Sequence, residues 1–116
     1  MGTRLRFLVF ITMKYDFVAV DFDNADYDQL ACSVGIVAVK NNVIVDEVYH
    51  LIQPPGNRYG KIQSSIHKIC AEETEKSPTF DKVWPKIEKY FLGQHLIMHN
   101  APTDIAILHK SLSYYF

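Results

Sequence analysis

Two apolar runs, residues 31–40 (ACSVGIVAVK) and 43–52 (VIVDEVYHLI), are separated only by Asn41-Asn42, and no other feature constrains the fold as much. A two-residue loop of the mirror-image turn class needs positive φ at both positions, and asparagine is one of the few residues with a side chain that tolerates it. The pair therefore predicts a tight hairpin. Residues 15–22 (YDFVAVDF) form an earlier β-branched and aromatic run, the pattern of a buried strand. Polar, turn-like residues 23–30 connect it to the hairpin, so the three strands are expected to be antiparallel neighbours.

Pro54-Pro55-Gly56 ends the third strand, and residues 57–76 read as a polar connection with short helical turns. Ser77-Pro78-Thr79 marks a helix start. Val83, Trp84, Ile87 and Phe91 follow at helical spacing, and Pro85 among them predicts a late start or a kink. Gly93 closes this stretch. Residues 95–98 (HLIM) read as a short buried strand, and Pro102 opens a last helix with Ile105, Leu108 and Leu112 on one face. The element order is βββαβα, an α/β fold in which helices cross the faces of a sheet.

The 116 residues are room for one domain, and 48% hydrophobic with 22% charged residues suffices for a core. The net charge of −1 excludes a global basic field, so any nucleic-acid contact must be local. Cys32 and Cys70 have no metal-binding spacing, and Cys32 reads as a small core residue; a disulfide or zinc site is the less favoured reading. A reducing cytoplasm fits. Arg4 and Arg6 precede a short apolar run, Phe7 to Ile11, too short to span a membrane and followed by no small-residue cleavage site. Met13 opens a segment that reads like a natural start. Residues 1–12 are therefore expected to be an N-terminal extension, with an added edge strand as the competing reading, and residues 13–116 the domain.

Asp21-Phe22-Asp23 ends the first strand. Side chains alternate along a strand, so Asp21 and Asp23 point the same way with Cα atoms about 6–7 Å apart. Two carboxylates so placed repel each other, and a divalent cation with a preference for hard oxygen donors, Mg²⁺ or Mn²⁺, is their natural partner. The competing reading is a pair of solvated turn aspartates followed by Asn24, Asp26 and Asp28. A second constellation, His99-Asn100-Ala101-Pro102-Thr103-Asp104, joins the fourth strand to the last helix. Asn100 as N-cap, Pro102 in the first turn and Asp104 against the helix dipole make a local account, which leaves His99 unexplained. Ligands in α/β sheets gather at strand ends where strand order changes. With strands one and four side by side, Asp21, Asp23 and Asp104 would converge into a two-metal site, ions about 3.5–4 Å apart, for in-line phosphodiester cleavage.

From Asp16 to Tyr115 the chain resembles the DnaQ-like (DEDD-type) 3′–5′ exonucleases, the family that includes the proofreading subunit of bacterial DNA polymerase III. The matching residues are DFDNADYDQLACSVGIVAV, LIQPPG, SSIHKIC, SPTFDKVWPKI and HNAPTD, in the family's order and spacing. The resemblance implies a ribonuclease H-like exonuclease fold with a mixed sheet, lacking the last strand and helix. It implies Asp21, Asp23 and Asp104 as metal ligands and catalytic residues, holding two divalent cations. It further implies Phe22, Asn24, His67, His99 and Asn100 on the substrate side, single-stranded 3′ ends of DNA or RNA as substrate, and a DNA polymerase subunit as partner. Arg58, Lys61 and Lys68 are either phosphate contacts or parts of a solvated loop.

The chain departs from the family at several points. Asp23 stands for a Glu, Asn24 for a Thr, Thr103 for a Phe, and Lys68-Ile69-Cys70 for Gly-Ile-Thr. The family's third motif, a His with an Asp five residues later, has no match, because no Asp or Glu follows Asp104. His109, expected to face solvent, is a poor substitute. The general base and fourth ligand are thus expected to be missing and the chain alone weak or inactive. The alternative is a catalytically inactive exonuclease-fold protein that binds nucleic acid or a partner chain, using the strand at 95–98 as an unpaired edge.

Overall fold

A computed structural model describes residues 14–116, and the expected extension over residues 1–12 lies outside them. Strands β1 (Phe17–Asn24), β2 (Ala31–Lys40) and β3 (Val43–Leu51) come first. Helices α1 (Lys61–His67), α2 (Ala71–Thr74) and α3 (Phe80–Ile87) follow, then strand β4 (Leu96–Ile97) and helix α4 (Ala101–Tyr115). The four strands make one mixed sheet in the order β3-β2-β1-β4. β1 and β3 run antiparallel to β2, and β4 runs parallel to β1. Asn41 and Asn42 have φ of 53° and 63°, so the hairpin turn is the one the sequence predicts.

Alternation along the strands sorts the sheet into two faces. Val18, Val20 and Phe22 of β1, with Val34, Ile36 and Ala38 of β2, bury one face under Phe80, Val83, Trp84 and Ile87 of α3 and Ile107 of α4. The other face is open. Ala19, Asp21, Gly35, Tyr49, Ile97 and His99 border a groove there of about 810 Å³. Tyr49 and Ile97 are 62% and 49% exposed within it. Cys32 is buried, as expected, and burial pushes its thiol up to about 12. Among the described residues no helix is long and apolar enough to cross a membrane.

Three details differ from the sequence-based expectation. β4 is only Leu96–Ile97, because the chain leaves β1 to begin α4. α3 starts directly after Thr79, and Pro85 lies inside it. Proline has no N–H for the helix ladder, and within a few residues the chain changes to a 3-10 turn at Glu88–Tyr90. Finally, Ile105 is 46% exposed, whereas α4 buries Asp104, Ile107 and Ser111. Bonds from Asp104 and Ser111 to the sheet set the rotation of α4, and Ile105, one position on from Asp104, is turned outward.

Candidate active site

β1 extends beyond its short partner β4. Val18 donates its N–H to the His95 carbonyl at 2.8 Å, and residues of the same parity in a strand send their N–H groups to the same edge. Phe22 therefore presents an N–H to that edge after β4 has ended, and a buried donor without a partner would be costly. Asp104 supplies the acceptor: its Oδ1 takes the Phe22 N–H at 2.9 Å, and Asp104 is only 3% exposed. This bond pins the first turn of α4 to the residue between Asp21 and Asp23. The two sequence constellations thus meet, through the parallel pairing of β1 with β4.

The charges at this point are crowded. Loss of water raises the Asp21 carboxyl above its ordinary value, and the charges of Asp23 and Asp104 raise it further, with His99 pulling the other way. Burial also raises Asp104, offset by the Phe22 N–H, with Asp23 adding repulsion. Asp23 has a partner of its own, since Ser33 Oγ donates to its Oδ2 at 2.9 Å. The donor set fits a hard divalent cation in kind: carboxylate oxygens whose mutual repulsion a cation relieves. Among the described residues, however, no group of three or more His, Cys, Asp or Glu side chains is arranged to hold a metal ion. One oxygen each of Asp23 and Asp104 is already bound within the protein, so a cation would meet their remaining oxygens.

A pocket of about 320 Å³ opens at these carboxylates, walled by Asn24, Gln63, Ile66, His67, Asn100 and Thr103. Asn100 is the N-cap residue of α4 but makes no side-chain cap bond. Its backbone carbonyl accepts from the Thr103 and Asp104 N–H groups instead, and its exposed side chain faces the pocket. His99 is exposed and borders the open-face groove beside Asp21 rather than the acidic pocket. Asn24 lines the pocket while its Nδ2 donates to the Asp26 carbonyl.

Two expected substrate contacts, Phe22 and His67, line the pocket but also have partners inside the protein. The Phe22 side chain is 4% exposed and packs against Phe91, so only its backbone borders the pocket. The alternation that aligns Asp21 with Asp23 sends Phe22 to the buried face. His67 does line the pocket, but both its ring nitrogens are engaged. Nδ1 accepts the Ile69 N–H at 3.0 Å, which leaves Nε2 to donate to the Asn24 carbonyl at 3.0 Å. Its ring is a strut between α1 and the end of β1. Arg58, Lys61 and Lys68 are exposed and do not border the pocket, which favours the solvated-loop reading. Sequence reasoning missed Ser33 and Gln63. The Gln63 Oε1 is buried without a hydrogen-bond partner. Nothing in the local sequence marks either residue; both follow from how strands and loop register against each other.

The architecture, a mixed four-stranded α/β sheet with acidic residues at the junction of its first and fourth strands, is the ribonuclease H-like fold of exonucleases. Two solved structures with that fold superpose on the chain. One is exonuclease X in complex with 5′-overhanging duplex DNA, with TM-score 0.66, 22% identity and coverage of 78% of this chain and 52% of that one. The other is a 3′-exonuclease in 3′-end recognition of histone mRNA stem-loop, with TM-score 0.71, 13% identity and coverage of 97% and 48%. No protein-family model matches. Among curated proteins, the DNA polymerase III epsilon subunit of Buchnera aphidicola is 25% identical over 109 residues, covering 86% of this chain and 44% of that protein. That of Rickettsia prowazekii is 29% identical over 80 residues, covering 69% and 35%. A PolC-type DNA polymerase III of Thermotoga petrophila is 27% identical over 95 residues, 7% of its length. The chain thus spans less than half the length of the curated relatives it matches. The chain is similar in sequence to DNA polymerase III epsilon subunits and similar in fold to exonucleases of known structure.

Proposed function

We propose that residues 13–116 form part of a metal-dependent 3′–5′ exonuclease domain of the proofreading type, which removes nucleotides from 3′ ends of DNA or RNA. The observation that carries this reading is the Asp104–Phe22 bond, which draws a third carboxylate to the strand end bearing Asp21 and Asp23. Asp21, Asp23 and Asp104 would hold Mg²⁺ or Mn²⁺. A pair of such ions supplies charge neutralisation at the scissile phosphate and an activated water. The chain's own residues position and bind. Asp104 fixes the strand end, Asn100 offers a carboxamide to the terminal nucleotide, and Gln63 forms part of the pocket wall. His99 borders the groove beside Asp21. His67 and Asn24 support the wall, and the Phe22 backbone its floor.

The exonuclease resemblance puts the general base in a third motif after Asp104, and in the sequence given no Asp or Glu follows Asp104, while His109 is exposed on α4. The 116-residue chain is therefore expected to turn over weakly or not at all on a 3′-labelled oligonucleotide with Mn²⁺. Robust turnover that disappears in Asp21→Ala would contradict this. A second reading, a catalytically silent exonuclease-fold protein that binds nucleic acid or a partner chain such as a polymerase subunit, is favoured by the two-residue edge strand β4 and the exposed Ile97 on it. Polymerase capture retained in an Asp21→Ala/Asp104→Asn variant, with no Mn²⁺ binding by the unmodified chain, would favour that reading over the first.

A further inference from the structure

Ser33 faces Asp23 directly across the β1–β2 pairing and is 1% exposed. A hydroxyl shut off from water must find a partner, and this one donates to a carboxylate, the stronger charge-assisted type of bond. The 2.9 Å contact to Asp23 Oδ2 fixes one oxygen of that carboxylate against β2 and leaves Oδ1 for the pocket that Asp23 lines. The bond depends on the length of the side chain at position 23. A glutamate there would carry its carboxylate one methylene further from the strand and out of register with the Ser33 hydroxyl.

We propose that Ser33 is a positioning residue: by donating to Asp23 Oδ2 it holds that carboxylate in a single orientation and thereby sets the affinity of the acidic pocket for a divalent cation. This rests on the metal-site reading of Asp21, Asp23 and Asp104. Outer partners that orient a metal-ligating carboxylate typically change metal affinity about 10–100-fold. In calorimetric titrations of the full chain with Mn²⁺, Ser33→Ala is expected to weaken binding at least about 10-fold. Ser33→Thr, which keeps the hydroxyl, is expected to restore it. In an Asp23→Ala background the Ser33→Ala change is expected to have no further effect, which separates orientation of Asp23 from a general effect on folding. Should the alanine variant fail to fold, Ser33→Val, which has no donor and suits a strand, takes its place. Unchanged Mn²⁺ affinity in a folded variant without the hydroxyl would overturn the proposal and leave the metal-site reading standing. No Mn²⁺ binding by the unmodified chain would overturn both.

Discussion

At the scale of single residues, Asp104 does two things that substitutions can separate. Its carboxylate accepts the Phe22 N–H, and its charge adds to that of Asp21 and Asp23. Asp104→Asn keeps an acceptor and removes the charge; Asp104→Ala removes both and leaves a buried N–H unpaired. The alanine variant is expected to lose about 1–3 kcal/mol in urea denaturation, and the asparagine variant clearly less. Equal losses would mean that the bond contributes nothing. Asp21 gives a pH prediction. Its carboxyl is raised on folding, so the folded chain binds that proton more tightly than the unfolded one. The resulting stability is full below the ordinary carboxylate range and is lost as pH rises through the raised folded value. At neutral pH the ionised group carries the cost of lost hydration and the repulsion of Asp23 and Asp104, which His99 only partly offsets. Asp21→Asn is therefore expected to melt higher than the unmodified chain at pH 7 without divalent cations, with the difference shrinking in acid. A lower melting temperature at pH 7 would contradict this. The acidic residues themselves were legible in the sequence, because strand alternation and the strand–helix junction are local patterns. Ser33 and Gln63 were not, because their roles depend on which residue of one segment lies opposite which residue of another.

At the scale of elements, the hairpin was plain: Asn41-Asn42 leaves little choice of turn, and β2 has the expected bounds. The loop between β3 and α3 was legible only as short helical turns, since α1 buries no residue and so has no apolar stripe to read. Its end carries a strain that the sequence marked only as a departure from the family's turn. Lys68, at the family's glycine position, caps α1 in the left-handed region at φ 66°. A side chain there costs about 1–2 kcal/mol relative to right-handed backbone, and glycine avoids that cost. Lys68→Gly is expected to stabilise the chain by about 1 kcal/mol in chemical denaturation; destabilisation would contradict the strain. The rotation of α4 was misjudged at Ile105 because helical periodicity cannot show that Asp104, a charged residue, belongs to the buried face.

At the scale of the whole molecule, the site exists because of one topological fact. β4 returns parallel beside β1, and the chain then turns into α4 where β1 still has an edge to offer. That juxtaposition joins Phe22, which lies between Asp21 and Asp23, to Asp104 across a separation of 82 positions. It was legible as an expectation from element order, since sheets of this class gather ligands at changes of strand order. The brevity of β4 was not, for it depends on where α4 draws the chain away. The measurement that bears most directly on this convergence is NMR relaxation enhancement by Mn²⁺ on the amide-labelled chain. A single bound ion is expected to broaden the amides of residues 21–24 and of residues 100–104 together, at the same low metal concentration, with Asp104→Asn weakening both effects. Broadening confined to one of the two segments, or equal in the asparagine variant, would contradict the shared site.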